Sequence, residues 1–528
     1  MTGTVSLIRL ILRRDRVVTP IWVLILAVLP IAQTTGIAEL YPTEQELRRF
    51  AVSFAGPALE ALYGPVTHWN AAALGVWRAG FTPVLLALAS TLTVIRHTRV
   101  EEEAGRRELL GSTALGRHAG LSAALIVAAL ANLVVALIIV LSFVKQGYPA
   151  AGAVATGLNY AGVGMVFAAV GAVAAQLTES AGGARAIALS ALGGAYLLRV
   201  AGDSAGLPAL TWLSPIAWGQ KLRPFAGEVW WPLVPSAAAI AVLLTAAYLM
   251  AGRRDVAAGL LPPRLGPERA APGFASPLAL AWRLHKGALF GWSAGFVLFG
   301  LVIGGAAGTA ADAMAENRQL LEMMTRLGGS ANMSDAFVAG VLSIFGIAVS
   351  GYAVQAALRM RAEETLMRAE PVLATRVSRA GWMASHLVFA LLGPVVVLAL
   401  LGVAVGLSAG AGAGDGVGDL VGQVPRVLGA TLAQLPAVWS LAALAVALFG
   451  LLPRLVAVAW GALAAFLLFG QIGALLDLPS AVLDLSPFSH LPHLPGGEVT
   501  VAPLLVLTAI SVALLAAGLY GFRRRDLG

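Results

Sequence analysis

The sequence has no cysteine and only three lysines, and each shortage excludes a class of chemistry. Without cysteine the chain has no disulfide, no thiolate nucleophile and no cysteine-based metal site. A phosphate-binding loop needs a lysine followed by serine or threonine, but Lys145, Lys221 and Lys286 precede Gln, Leu and Gly. The seven histidines also lack metal-binding spacing. We therefore expect no metal site and no ATP site in this chain.

Charge is scarce, and apolar residues dominate. Only 12% of the residues are charged and 59% are hydrophobic, and the mean hydropathy of +0.84 is that of a polytopic membrane protein. Twelve continuous apolar runs are long enough to cross a bilayer as helices, around residues 18–38, 76–95, 121–144, 153–177, 185–201, 233–251, 288–310, 338–357, 383–408, 427–450, 455–476 and 500–522. The predicted fold is all-α and integral to the membrane, with twelve transmembrane helices.

The positions of Lys and Arg predict the orientation of these helices. Most of the Lys and Arg residues fall in segments predicted on the same side of the membrane as the N-terminus. Cytoplasmic loops carry an excess of Lys and Arg. Both termini are therefore predicted to be cytoplasmic. The same distribution accounts for the net charge of +8, so we assign that charge to membrane topology and predict no nucleic-acid partner.

The chain contains a densely charged stretch twice, as RVEEEAGRRELLGSTALGR at 99–117 and as RAEETLMRAEPVLATRVSR at 361–379. Seven residues coincide at a constant offset of 262, and six of them are charged: Arg99, Glu101, Glu102, Arg106, Glu108, Thr113 and Arg117 fall on Arg361, Glu363, Glu364, Arg368, Glu370, Thr375 and Arg379. Further matches are Arg13, Arg16 and Trp22 with Arg283, Lys286 and Trp292 at offset 270, and Leu213–Pro215 with Leu485–Pro487. Both halves end alike, at Arg253–Asp255 and Arg524–Asp526. Such matches indicate an internal duplication.

We predict two six-helix halves, 1–255 and 278–528, joined by a cytoplasmic linker at 256–277. Because each half has an even number of spans, both halves begin on the same side and the repeat is parallel. The linker contains LPPRLGPERAAPG, which is rich in Pro, Gly and Arg and has no apolar periodicity.

Each charged stretch follows the second span of its half, on the predicted cytoplasmic side. One interpretation is a solvated loop helix that obeys the topology rule, with Glu102–Arg106 and Glu364–Arg368 as i, i+4 pairs. That rule rewards positive charge only, yet the duplication kept three glutamates. We therefore favour a docking surface for a cytoplasmic protein.

Transport against a gradient needs an energy source, and the acidic residues indicate that it lies elsewhere. All 27 acidic residues fall in loops or at span ends, whereas proton-coupled carriers usually keep an acidic residue or a histidine within the membrane. Together with the missing phosphate-binding loop, this predicts a motor on another chain.

These features resemble the membrane subunits of ABC-2 type exporters, in particular the double-length actinobacterial permeases for polyketide antibiotics of the tetronasin type. The resemblance covers essentially the whole chain. It rests on both charged stretches, on WMASH at Trp382–His386 and on WLSPIAWGQKLRPFAGEVWWPL at Trp212–Leu233. The first half departs from the WxxSH pattern, because Gly120, Ala123 and Ala124 stand in the places of Trp382, Ser385 and His386. Unequal docking sites in the two halves are therefore expected.

The resemblance implies a division of labour between chains. Two copies of a cytoplasmic ABC ATPase would bind ATP and Mg, so this chain would need no cofactor and would not itself be an enzyme. Docking would use a coupling helix in each charged stretch, with the candidate residues Arg99, Glu101, Glu102, Arg106, Glu108, Arg117, Arg361, Glu363, Glu364, Arg368, Glu370 and Arg379. The implied function is export of a hydrophobic or amphipathic compound, antibiotic-like, drug-like or lipid-like, across a bacterial plasma membrane.

A segment rich in proline precedes the last span of each half. Prolines and polar residues at that depth suit a broken or re-entrant segment, and the resemblance implies that these segments close the cavity to the outside. The candidate gate residues are Trp212, Pro215, Trp218, Pro224, Phe225 and Pro487. Smaller predicted elements are interfacial helices at 5–16 and 278–286, and an outer helix with a capping box from Thr43 to Glu46.

Two other function classes remain open from the sequence. A proton-coupled secondary transporter of the major facilitator type also has two parallel six-helix halves, and EEEAGRRELL lies where that family has a basic loop motif. The Gly and Asp framework of that motif is missing, however, as is an acidic relay. The third class is a membrane-embedded enzyme or assembly scaffold, and no paired carboxylates, metal cluster or activated nucleophile occurs in a span.

Overall fold

The structure is a computed structural model of the 528-residue chain. It describes residues 2–54, 60, 62–107, 115–204, 206–255, 258–261, 268, 276–315, 333–412, 417–472 and 479–526. Every regular element within these ranges is a helix, which confirms the all-α prediction. Glu108, Thr113 and most of the predicted linker lie outside the described residues. The chain divides into two compact units, Met1–Gly266 and Pro267–Gly528.

The described part of the first unit contains twelve helices. In chain order, α1 to α12 are Thr4–Arg14, Val18–Leu40, Glu44–Phe54, Ala71–Arg78, Thr82–His97, Arg99–Glu103, Ala119–Lys145, Ala150–Leu177, Ala181–Ser204, Pro208–Trp212, Pro215–Gln220 and Leu233–Arg253. The long helices α2, α7, α8, α9 and α12 are the membrane-span candidates.

The described part of the second unit contains ten α-helices and two short 3₁₀ turns. In chain order, α13 to α22 are Pro277–Ala315, Met333–Ala357, Arg359–Thr365, Ala369–Leu373, Arg379–Gly412, Val417–Leu432, Leu435–Leu451, Val458–Ile472, Ser480–Leu483 and Val501–Arg524. The 3₁₀ turns are Pro453–Leu455 and Pro487–His490.

Ten helices in the described residues are long and apolar enough to cross a membrane, as expected of an integral membrane protein. Three of the twelve predicted spans differ from a single long helix, and the one at 427–450 combines α18 and α19 across a turn at residues 433–434. The span predicted at 76–95 is a bent pair, in which α4 makes an angle of 48° with the helical segment formed by α5 and α6. Gly80 lies in the bend. A Cβ at this position would lie 2.7 Å from the main-chain oxygen of Tyr63, so a residue with a side chain does not fit there. The span predicted at 455–476 is α20, with 15 described residues, which is shorter than a bilayer crossing needs. The count of twelve therefore stays a prediction.

Helix α8 lies at the centre of the first unit, where it packs against α5, α7, α9 and α12. Small residues allow this close packing. A side chain at Gly164 would come within 2.0 Å of Oδ1 of Asn132 on α7, so only glycine fits there. The amide of Asn132 also donates a hydrogen bond to Ser90 of α5 at 3.0 Å. The three helices are thus held together by one buried amide.

Helix α17 is central in the second unit, where it packs against α13, α14 and α18, while α19 packs along α22. Trp382 at the start of α17 stacks on Phe522 near the end of α22, with ring centroids 5.5 Å apart. The end of the last helix is therefore fixed beside the start of α17. This contact positions the charged residues that follow α22.

The two predicted interfacial helices differ from each other. The first is present as α1, and a break at residues 15–17 separates it from α2. The second is continuous with the seventh span in α13, Pro277–Ala315, so the expectation of a separate helix at 278–286 was wrong. Asp15 lies at the break, where its carboxylate binds His97 at 2.7 Å and Arg96 at 3.0 Å. Its counterpart at offset 270 is His285, which lies inside the unbroken helix.

Helix α3 begins with the predicted capping box. The main-chain N–H of Glu46 donates to Oγ1 of Thr43 at 3.3 Å, and the N–H of Thr43 donates to Oε2 of Glu46 at 3.1 Å. The capping box is thereby confirmed. The buried residues Leu47 and Phe50 pack α3 against the end of α2, so this short helix is part of the folded unit.

Candidate functional site

The first charged stretch centres on Glu102, whose side chain is buried. Only 3% of Glu102 is exposed, and its carboxylate binds three arginines. Arg99 lies at 3.0 Å and Arg254 at 2.9 Å, and Arg107 also pairs with it. Since Arg254 directly follows α12, this carboxylate ties the end of the second span to the end of the last helix of the unit. Breaking such a buried pair by removing one partner costs about 3–5 kcal/mol.

The second charged stretch repeats this arrangement with the corresponding residues. Glu364 is buried and binds Arg361 at 3.0 Å and Arg525 at 2.8 Å. Arg525 directly follows α22, as Arg254 follows α12. Its guanidinium also lies over the ring of Phe449 at 4.7 Å, which is a cation–π contact that further fixes it.

The last arginine of each stretch donates to the residue that follows the last helix of its own unit. Arg117 donates to the main-chain oxygen of Arg254 at 3.1 Å. Arg379 donates to the main-chain oxygen of Arg525 at 2.6 Å. We call the group Glu102, Arg99, Arg117 and Arg254 the first clasp, and the group Glu364, Arg361, Arg379 and Arg525 the second clasp. Each clasp joins both ends of the charged stretch to the end of the last helix of its unit.

The clasps replace one expected pairing. Glu102 does not pair with Arg106; instead Arg106 donates two hydrogen bonds to Glu101, at 2.7 and 3.0 Å. This bond raises the pKa of the exposed Arg106. Glu101 also pairs with Arg14 of α1, so the amphipathic helix is joined to the same cluster.

Several candidate docking residues therefore have partners within their own unit. Arg99 donates to the main-chain oxygen of Ala175 at 2.8 Å and is fully buried. Glu363 is also buried and pairs with Arg359 at 3.0 Å. Among the described candidates, Arg106, Arg117, Arg368 and Glu370 lie exposed. Their role in docking stays a prediction.

A tight turn follows each short helix, and it exposes different side chains in the two units. Gly105 has a φ of +69° and its counterpart Met367 has a φ of +58°. Glycine adopts this left-handed conformation freely, whereas a methionine pays about 1–2 kcal/mol for it. Leu366 and Met367 are 48% and 60% exposed, where the first unit has Ala104 and Gly105. The second turn is thus an apolar surface in charged surroundings.

The segment between α9 and α12, which we call the outer segment because the sequence predicts it on the outer side, forms two short helices, α10 and α11. Trp212 stacks on Trp231 with centroids 4.5 Å apart, and the indole N–H of Trp218 donates to the main-chain oxygen of Trp212 at 2.7 Å. Pro215 starts α11. A broken outer segment is what the sequence predicted, and the tryptophans hold it folded.

Phe225 packs the end of this segment against α7 and the start of α8. Its ring lies 5.4 Å from that of Phe143 and 5.9 Å from that of Tyr148. The space is made by Gly152, where a side chain would meet the Phe225 ring at 2.2 Å. Pro224 next to it lines a cavity of about 210 Å³. Five of the six gate candidates therefore belong to one folded segment.

The sixth gate candidate, Pro487, lies in the second unit. It begins the 3₁₀ turn Pro487–His490, whose first two residues are buried and which is capped where the N–H of Phe488 donates to Oγ of Ser486 at 3.4 Å. Pro487 lines an apolar cavity of about 620 Å³ together with residues of α19 and α22, among them Leu444, Val506 and Ile510.

Sequence reasoning missed two buried polar pairs near the charged stretches. Asp15 pairs with His97 in the first unit, and in the second unit Nε2 of His285 lies 2.9 Å from Nδ1 of His386. Asp15 and His285 correspond at offset 270, so the duplication was the signal that could have located both. In the described part of the chain no group of three or more metal-ligating side chains occurs.

Comparison with known proteins gave two matches. Residues 274–523 match the family model described as "Multidrug efflux system permease Rv1217c, C-terminal domain". The whole chain aligns with the multidrug efflux system permease protein Rv1217c of Mycobacterium tuberculosis (strain ATCC 25618 / H37Rv), with 44% identity over 529 residues, covering 100% of this chain and 95% of that protein. These matches support the resemblance to an efflux permease and do not extend to the tetronasin-type specificity.

Proposed function

Because the chain belongs to the family of the multidrug efflux system permease Rv1217c, we propose that it is the membrane permease of an ATP-driven drug exporter. In this proposal two separate ATPase subunits bind ATP and Mg and dock on the charged stretches at 99–117 and 361–379. Both termini lie in the cytoplasm of a bacterium, and the cargo is a hydrophobic or amphipathic compound. The twelve spans form two parallel six-helix halves.

The observation that carries this proposal is the repeated clasp. A loop that merely obeyed the topology rule would need positive charge and no buried glutamate. Instead Glu102 and Glu364 each bind an arginine that follows the last helix of their unit, at 2.9 and 2.8 Å. A partner that displaces either charged stretch would therefore move the end of that helix as well.

The exposed turns supply the surface on which a partner would act. Leu366 and Met367 project from the second stretch, and Arg106 projects from the first. The left-handed backbone of Met367 is maintained although glycine would fit better. An apolar contact with the ATPase accounts for that choice.

The apolar cavity of the second unit supports an amphipathic cargo. Its volume of about 620 Å³ lies within the range of drug-binding pockets. Apolar side chains dominate its lining, and Asp484 and His490 are the titratable residues among them. We propose this cavity as a place where the apolar part of a cargo molecule binds.

The test reconstitutes the permease, with the ABC ATPase that co-purifies with it, in inside-out vesicles. We expect uptake of a fluorescent amphipathic dye only when ATPase and Mg·ATP are both present. Transport driven by a proton gradient without the ATPase would overturn the proposal in favour of a secondary carrier.

A matched pair of variants tests the docking surface. Met367→Asp places a charge on the exposed turn and should reduce ATPase co-purification. Val52→Asp makes the same kind of change at a residue that is 64% exposed on α3 and should leave ATPase binding intact. Equal ATPase binding by both variants would exclude the second turn as a docking site.

A further inference from the structure

A cavity of about 480 Å³ lies in the first unit beside the first clasp. One wall is formed by apolar side chains of the amphipathic helix α1, and another carries guanidinium groups. The apolar wall consists of Leu7, Leu10 and Ile11, and the charged wall of Arg107, Arg117 and Arg254, while the fourth lining arginine, Arg14, is the last residue of α1 itself. A site with these two walls fits a molecule that has an apolar chain and an anionic head.

The charge around this cavity is unbalanced. Three carboxylates line it, those of Glu101, Glu102 and Asp255, against the four lining arginines. Arg99 and Arg106 bind the same glutamates from outside the lining. Among the lining residues alone, four arginines against three carboxylates leave one positive charge, and this excess favours an anion.

The cavity also lies where a membrane lipid would reach it. Leu10 lines the cavity and is 50% exposed, so α1 presents apolar surface both inwards and outwards. An amphipathic helix with this pattern lies in the membrane interface. The first turn of α7, at Ala119 and Gly120, also lines the cavity, and the positive end of a helix favours an anion.

The duplication shows what keeps this space open. A Cβ added at Gly120 would lie 3.6 Å from the guanidinium of Arg107, which is an ordinary contact distance. Its counterpart in the second unit is Trp382, which is only 3% exposed and is stacked on Phe522. The second unit thus fills with an indole the position that the first unit leaves empty.

We propose that this cavity of the first unit binds an anionic phospholipid of the inner leaflet, with the phosphate at the arginine wall and an acyl chain along α1. Basic pockets between transmembrane helices on the cytoplasmic side bind anionic lipid head groups in this way. The proposal shares with the proposed function only the assignment of this end of the unit to the cytoplasmic face. Lipid binding is measured without the ATPase, so the two proposals can fail separately.

The experiment measures phospholipid retained by the full-length permease after purification from vesicles that contain equal amounts of phosphatidylglycerol and phosphatidylcholine. The wild-type chain should retain phosphatidylglycerol preferentially. Gly120→Trp, which imitates the second unit, should abolish this preference. Gly182→Trp is the control, because it adds the same side chain at a glycine with no atom within 4 Å, and it should retain the lipid.

A second pair of variants serves if Gly120→Trp does not fold. Arg117→Ala removes one lining guanidinium and should reduce retention about fivefold, since one arginine near an anionic lipid contributes roughly this factor. Arg9→Ala removes an exposed arginine of α1 that is not among the lining residues and should change retention little. Equal losses in both variants would mean that general surface charge retains the lipid, and the proposal would fail.

Soluble phosphate is the other source of the same chemistry. Inorganic phosphate and glycerol 3-phosphate are therefore titrated against the lipid-loaded protein. If neither compound displaces phosphatidylglycerol at millimolar concentration, the site is a lipid site. Displacement by inorganic phosphate, or retention of phosphatidylcholine as strong as that of phosphatidylglycerol, would overturn the proposal.

Discussion

Glu102 and Arg254 form a buried ion pair at 2.9 Å although 152 residues separate them in the chain. A carboxylate taken out of water is tolerated only when it is paired and hydrogen-bonded, and Glu102 satisfies this condition with three arginines. Glu364 and Arg525 repeat the pair at 2.8 Å. The same solution in both units suggests that joining the charged stretch to the last helix is its main structural task.

The clasps predict a strong difference between buried and exposed glutamates. Glu364→Ala should destabilise the protein by about 3–5 kcal/mol, because Arg525, whose side chain is only 16% exposed, would lose its carboxylate partner. Glu370→Ala is the matched control on the same stretch, where the side chain is exposed, and should change stability by less than about 0.5 kcal/mol. Thermal unfolding in detergent compares the two. Similar unfolding temperatures for both variants would show that the second clasp contributes no stability.

Exchanging the charges tests whether the pair itself matters. The double variant Glu364→Arg with Arg525→Glu should be more stable than either single variant, since it restores opposite charges across the pair. The two single substitutions should not add, because the residues are in contact. Additive losses would argue against a direct pair.

Close helix packing at α8 predicts opposite outcomes for two glycines. Gly164→Ala places a methyl group 2.0 Å from the Asn132 amide and should destabilise the protein by about 1–3 kcal/mol. Gly162→Ala, on the same helix, meets no atom within 4 Å and should be neutral or slightly stabilising. Thermal unfolding distinguishes the two, and a neutral Gly164→Ala would contradict this arrangement of α7 and α8.

The left-handed turn at Met367 predicts a conflict between stability and coupling. Met367→Gly should stabilise the protein by about 1 kcal/mol by relieving backbone strain, while it lowers stimulation of the ATPase by cargo. Gly105→Met in the first unit should destabilise by a similar amount. Unfolding temperature and cargo-stimulated ATP hydrolysis are measured on the same samples. If cargo stimulated ATP hydrolysis as strongly in the Met367→Gly variant as in the wild type, the methionine would have no part in docking.

The aromatic anchor of the outer segment predicts a leak. Phe225→Ala removes a ring that packs on Phe143 and Tyr148 and should cost about 3–5 kcal/mol. If the segment is a gate, small dyes should then pass through vesicles without ATP. Trp230→Ala, at an aromatic residue that is 43% exposed, is the control and should keep vesicles tight. Tight vesicles with Phe225→Ala would remove the gate assignment from this segment.

Apolar length predicted the long helices well, because it is a local property of the sequence, whereas the orientation predicted from Lys and Arg placement stays a prediction. The bend before α5 was missed, since the close approach of Gly80 to Tyr63 depends on the folded chain. The sequence placed Arg254 and Arg525 just after the last helix of each half. It could not show that these arginines bind Glu102 and Glu364, because tertiary packing decides that contact.

Local rules also misled in one case. The spacing of Glu102 and Arg106 predicted an i, i+4 pair, but the short helix α6 ends at Glu103, and the turn at Gly105 carries Arg106 towards Glu101. Offset comparison of the halves remained informative even where the residues differ. It linked Asp15 with His285 and Gly120 with Trp382, two positions at which the units have diverged.

The unbroken α13 has a mechanical consequence. With 39 residues and a rise of 1.5 Å per residue it is a rod about 58 Å long, so a push on its basic end near Arg283 tilts its entire length. In the first unit the helix is interrupted at the corresponding place, at residues 15–17, so α1 and α2 are separate rods. A displacement of equal size would therefore be carried along all 39 residues of α13, but only along the 11 residues of α1.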